Sequence, residues 1–213
     1  MKRMPGRGAL FAFSARRVAE AARALGRVDL ILAGDGPVPE GARAVPQRGR
    51  GFGERLKNAF VDARASGYAE IVVVPGDVPG ISAAHLKAAF RALETQGTVL
   101  GPSPDGGVWL IGLCLGEAGL PDFFEKVPWR TANVFSALVR NAPGAALLDA
   151  LLDVDRPSDL AALASEPGLD PVLAALLRSL RHVPASSARV RPTLRRRPRP
   201  VAPARAPPPR LAA

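Results

Sequence analysis

Cysteine is nearly absent from this 213-residue chain: Cys114 stands alone, which excludes an intramolecular disulfide and a cysteine-ligated metal. It falls inside the apolar run VWLIGLCL, which predicts a buried core thiol rather than a nucleophile. Histidine is scarce too, with His85 placed among helix-forming residues and His182 bordering the C-terminal segment, so neither a Ser-His-Asp order nor a His-based zinc spacing is visible. His85, beside Lys87, reads as a surface residue. No apolar stretch approaches the ~18 residues that span a bilayer, and Ala9 to Phe13 is shorter than the core of a secretion signal, so a cytoplasmic protein without membrane contact is expected.

What is abundant is positive charge, at a net +10, and its position matters more than its size. From Pro184 to Ala213 there are eight arginines, eight prolines and no acidic residue; subtracting those arginines leaves +2 for everything before them. A segment so rich in proline and without apolar periodicity lacks the burial needed to offset ordering entropy, which predicts a disordered basic tail. Its arginines, Arg195 to Arg197 among them, have no interleaved aromatic residues for base stacking, so nucleic acid is not an expected partner. The first 183 residues, 47% apolar in the chain as a whole, are long enough for one domain with a substantial core.

Along that domain, apolar runs alternate with helical periods, the pattern of an α/β fold with a mainly parallel sheet between helix layers. Gly8 to Phe13 reads as the first strand, with Ser14 capping a helix whose face carries Val18, Ala22 and Leu25. Strands are expected at Val28 to Ala33, Arg43 to Pro46, Glu70 to Val74, Thr98 to Gly101, Val108 to Leu113 and Ala145 to Leu148. Helices are expected from Gly53 to Ser66, from a Ser82 cap to Leu93, from Thr131 to Asn141 and over GLDPVLAALLRSL. Trp109 reads as a core residue of its strand.

Three acidic turns follow apolar runs: Gly76-Asp77-Val78-Pro79, Pro104-Asp105-Gly106-Gly107 and Asp153-Val154-Asp155. Ligands of an open α/β sheet bind beyond the carboxyl ends of its strands, which is where Asp77 and the late pair fall. Each has a structural reading as well: Asp77 as a turn residue, Asp105-Gly106 as a hairpin turn, Asp155 as a helix cap. Hard carboxylate oxygens suit magnesium or manganese, and those ions suit phosphates.

The segments QRGRGFGERL, VVVPGDVPGIS, VLGPSPDGGVWLIGL, PDFFEKVPWRT and DVDRPSDL, in that order between residues 47 and 160, resemble the CofC-like family of radical-SAM-associated (selenodomain-associated) transferases. That resemblance implies a glycosyltransferase-A-like, Rossmann-like α/β/α sandwich, which transfers a nucleotidyl or glycosyl group from a nucleoside triphosphate or sugar nucleotide to a small-molecule acceptor. It implies that Asp77, with Asp153 and Asp155, holds Mg2+ or Mn2+, Asp77, Asp105 and Asp155 being the catalytic acids. Gly51, Gly53 and Arg55 would lie near the nucleotide base. Gly101, Asp105, Gly106 and Gly107 would approach the acceptor or the phosphates, with Trp129 and Thr131 beside them. Members of the family also carry a Pro-Gly loop with a Lys-Thr-Arg-Leu run after the first strand. Here Phe13 passes to Ser14-Ala15-Arg16-Arg17, and no Lys-Thr pair follows Met4-Pro5-Gly6-Arg7. The alternative is therefore a binding or scaffold protein that keeps the fold without turnover.

Overall fold

A computed structural model describes residues 7–116, 122–154, 157–165 and 169–181. The compact unit is Met1–Val183. The tail expected from residue 184 lies outside the described residues, as does Asp155.

The order is α1 (Arg7–Leu25), β1 (Leu30–Ala33), β2 (Ala42–Val45), α2 (Phe52–Ala65), β3 (Glu70–Val73), α3 (Ala83–Gln96), β4 (Thr98–Pro102), β5 (Val108–Cys114), α4 (Val134–Asn141), β6 (Ala146–Leu147), α5 (Pro157–Leu163) and α6 (Pro171–Arg181). β1 and β2 form a parallel pair. The remaining strands form a second sheet in the order β3-β5-β4-β6, in which β5 runs against β3 and β4 while β6 runs with β4. Thus β3, β4 and β6 share one direction, and their carboxyl ends share one edge.

Side-chain alternation along β3 divides the core into layers. Ile71 and Val73 pack on one face with Phe60 of α2 and Ala137 and Leu138 of α4. Val72 and Val74 pack on the other with Ala21 and Ala22 of α1 and Leu86, Ala89 and Leu93 of α3. The expected α/β/α layering follows from this alternation. A third cluster joins Leu10 and Phe13 of α1 to Leu160, Leu163, Leu173 and Leu177 of α5 and α6.

The first unit corrects the sequence reading. Gly8 to Phe13 is helix, not strand, and Ser14 is fully buried inside α1 rather than capping it. The apolar positions Leu10, Phe13, Val18, Ala21, Ala22 and Leu25 recur at helical spacing, and a short apolar run read alone does not distinguish the two periods. Gly26, at φ +71°, ends this helix as expected, its N–H bonding the Arg23 carbonyl at 3.1 Å. Cys114 corrects the reading too, since it is exposed at the last position of β5. Trp109 is fully buried as expected.

Candidate active site

The edge at the carboxyl ends of β3, β4 and β6 is laced by backbone hydrogen bonds. Past β6, Leu148 N–H donates to the Leu100 carbonyl at 2.9 Å and Leu151 N–H to that of Pro102 at 3.2 Å. Val154 N–H then reaches the Asp77 carbonyl at 3.0 Å. The late acidic segment therefore crosses the end of β4 and docks on the turn after β3, which places Asp153 beside the Asp77 turn through backbone bonding. That turn is anchored beneath by Val78 and Ile81, both fully buried.

The β4–β5 connection is the hairpin expected from Asp105-Gly106. Ser103 N–H bonds the Gly107 carbonyl at 3.1 Å, and Asp105 Oδ1 accepts the Gly107 N–H at 2.8 Å. The Asp105 carboxylate thus shapes its own turn. Gly106 carries the demand for glycine. Its φ is +88°, and a Cβ there would lie 2.1 Å from the Ala132 carbonyl oxygen. Its own carbonyl accepts the Phe135 N–H at 3.0 Å, so the turn is pinned to the start of α4. Gly101 has a packing role, because the buried Trp109 ring occupies the space a Cβ would need.

Trp129 and Thr131 stand on the segment before α4. The Thr131 hydroxyl donates to the Pro128 carbonyl at 2.7 Å and accepts the Asn133 N–H at 3.2 Å, closing the bend. Trp129 lies against the first turn of α2, where a Cβ on Gly53 would fall 2.1 Å from the indole Nε1. Gly51 is the extended N-cap residue of α2, and the Arg55 side chain is exposed. Through Gly53–Trp129 and Gly106–Ala132, the start of α2 and the β4–β5 hairpin meet on either side of one segment.

Three residues at this edge escaped the sequence reading. Ser103 is buried, and its hydroxyl has no hydrogen-bond partner among the described residues. Asp149 follows β6, its carbonyl accepting the Trp109 Nε1–H at 3.0 Å. His85, expected on the surface, is half-buried: its Nδ1 accepts the Ser82 N–H at 3.1 Å in a capping box, and its ring meets that of Trp109 edge-on at 5.7 Å. Burial pushes the His85 imidazole below its ordinary value, with the Asp149 carboxylate pulling the other way. Ser82-x-x-His85 was the one visible signal, since a side chain with an acceptor atom three residues past a serine cap is a capping-box pattern.

Among the described residues no three acidic, histidine or cysteine side chains gather to hold a metal ion. Two open grooves, of about 400 and 350 Å3, lie between α1 and residues 28–41 and are lined by none of the candidate site residues.

Residues 32–131, from β1 to the segment before α4, match a family described as an uncharacterized protein conserved in bacteria, DUF2064. The chain is also 34% identical over 109 residues to the 3-phospho-D-glycerate guanylyltransferase of Phenylobacterium zucineum (strain HLK1), an alignment covering 49% of each protein. It therefore spans about half the length of that relative. Its fold is similar to the crystal structure of a candidate nucleotide-diphospho-sugar transferase from Desulfovibrio desulfuricans G20, with a TM-score of 0.65 and 26% identity over 79% of this chain and 81% of that one. The resemblance to CofC-like proteins that the motifs imply agrees with these similarities in sequence and fold.

Proposed function

We propose that this chain is a cytoplasmic nucleotidyltransferase that moves a nucleoside monophosphate unit from a nucleoside triphosphate to a small acceptor bearing a phosphate or carboxylate, releasing pyrophosphate. The observation that carries this reading is the convergence of the Asp77 turn, the 148–154 segment and the β4–β5 hairpin on one sheet edge, in a chain similar to a guanylyltransferase. Carboxylates at Asp77 and Asp153 are hard oxygen donors on bonded segments, which suits Mg2+ or Mn2+, and Asp155 would complete the set. The bound ion would offset phosphate charge and help align the in-line displacement. The residues themselves contribute placement. Val154–Asp77 pairing holds two acidic segments together, and the Gly106 junction keeps the hairpin against α4 where an acceptor would sit.

The test is pyrophosphate release by the purified chain with Mg2+, each of the four ribonucleoside triphosphates, and 3-phospho-D-glycerate as the first acceptor. Release that requires both nucleotide and acceptor, and disappears in Asp77→Asn, supports the assignment. Turnover of sugar nucleotides alone would move it to glycosyl transfer. A second reading, binding without turnover, is favoured by α1, where a helix over Arg7–Leu25 contains no Lys-Thr pair to hold phosphates. Saturable nucleotide binding without any product would establish that one.

A further inference from the structure

We infer that Trp109 is a positioning residue for the transfer reaction: re-aimed by a β-bulge, its indole N–H holds the chain past β6 at the level where Asp153 comes beside the Asp77 turn. This rests on the nucleotide-transfer reading above and names the buried group that sets the spacing of its two acidic segments.

Successive side chains of a strand point to opposite faces of its sheet. Along β5, Ile111 and Leu113 pack in the layer of α2 and α4, whereas Leu110 packs in the layer of α1 and α3. Alternation would put Trp109 with Ile111. It packs instead in the same layer as its neighbour Leu110, and the register gives the reason. Gly101 pairs with Leu110 and Pro102 with Val108, which leaves Trp109 as the extra residue of a bulge. Bulges of this kind re-aim a side chain and gather next to active sites. Gly101 clears the space for the turned ring, since a Cβ there would fall 2.4 Å from the indole.

What the ring gains is a hold on the chain beyond β6. The Trp109 Nε1–H donates to the Asp149 carbonyl at 3.0 Å, between the Leu148–Leu100 and Leu151–Pro102 backbone bonds, and the same segment ends on the Asp77 carbonyl through Val154 N–H. On its other side the indole meets the His85 ring edge-on at 5.7 Å, and His85 Nδ1 accepts the N–H of Ser82, the cap of α3, which follows directly on the Asp77 turn. Trp109 therefore stands between the two acidic segments, touching the first through His85 and the second through Asp149. With the Val154–Asp77 bond these contacts close a circuit around the sheet edge. Filling the core needs no bulge, and a buried indole is satisfied by any carbonyl in reach. The bulge and the cleared space at Gly101 are explained by where this donor has to point.

The experiment replaces Trp109 of the full chain by 3-benzothienylalanine, which keeps the shape of the ring but carries sulfur where the N–H stood, and separately by Trp109→Phe. Mn2+ affinity in the presence of each ribonucleoside triphosphate is read by paramagnetic resonance, and kcat and KM come from the pyrophosphate assay above. In the sulfur isostere Mn2+ should bind about 2- to 13-fold more weakly, the worth of one hydrogen bond, and kcat should fall on the order of 10-fold while KM for the nucleotide stays within about 2-fold. Trp109→Phe should show the same losses with a lower melting temperature, because it also leaves a gap. Wild-type Mn2+ affinity in the isostere overturns the inference while leaving the transferase reading intact, since the ring would then serve the core alone. A rise in KM with kcat kept overturns it as well. If wild type binds Mn2+ without turnover, the affinity ratio decides alone; if it binds none with any of the nucleotides, the metal-dependent transferase reading falls and this inference falls with it.

Discussion

Replacing Gly106 by alanine should destabilise this domain far more than the same change at its neighbour Gly107. At Gly106 the backbone is left-handed, which costs an L-residue about 1–2 kcal/mol. The added methyl would also start 2.1 Å from the Ala132 carbonyl oxygen, a backbone atom that moves only if the start of α4 moves. Overpacking of that kind costs about 1–3 kcal/mol. Together these give roughly 2–5 kcal/mol, or a fall in melting temperature of roughly 4–20 °C for a domain of this size. At Gly107 the nearest atom to an added Cβ is Asp105 Oδ1 at 3.0 Å, on a side chain that can rotate aside, and φ is not in the left-handed range. That substitution should cost under ~1 kcal/mol. Thermal denaturation followed by circular dichroism measures both. Melting temperatures within 2 °C of each other would refute the argument that the hairpin is pinned through Gly106 to α4.

Asp77→Asn should abolish metal-dependent nucleotide binding in calorimetry while the domain still unfolds cooperatively, because the Val154 N–H bonds to the Asp77 carbonyl, which the substitution preserves. Stability should fall on acidification through His85. Its folded-state value is lowered by burial from an ordinary 6.5, so the unfolded chain binds the extra proton first, and stability that is complete above about pH 6.5 declines as pH drops towards the lowered value. His85→Gln, which keeps an acceptor in the capping box, should flatten that part of the urea-midpoint profile against pH, and an unchanged profile would count against the imidazole. Asp170→Ala should cost about 0.5–2 kcal/mol in urea unfolding, because Asp170 Oδ1 accepts the Val172 and Leu173 N–H groups at 2.8 and 3.1 Å and so caps α6.

Much of the fold could be read from local pattern. Unbroken β-branched runs such as Ile71 to Val74 mark a strand covered on both faces, and Gly26 and Ser82 mark helix ends, because these signals depend only on neighbours along the chain. The hairpin at Asp105-Gly106 was legible for the same reason. The candidate site was legible as a set of motifs, but not as a set of contacts. Only the tertiary structure decided that Gly8 to Phe13 belongs to a helix, since its six residues fit either period until Leu10 and Phe13 find α5 and α6 to pack on. It also decided that Gly53 exists for Trp129, 76 positions later, and that Gly106 exists for Ala132. The same holds for His85, whose partners Trp109 and Asp149 come from β5 and from beyond β6. A glycine or a histidine looks the same in sequence whether it faces water or another segment. What it must accommodate is set by chain closure over long separations, which no local period records.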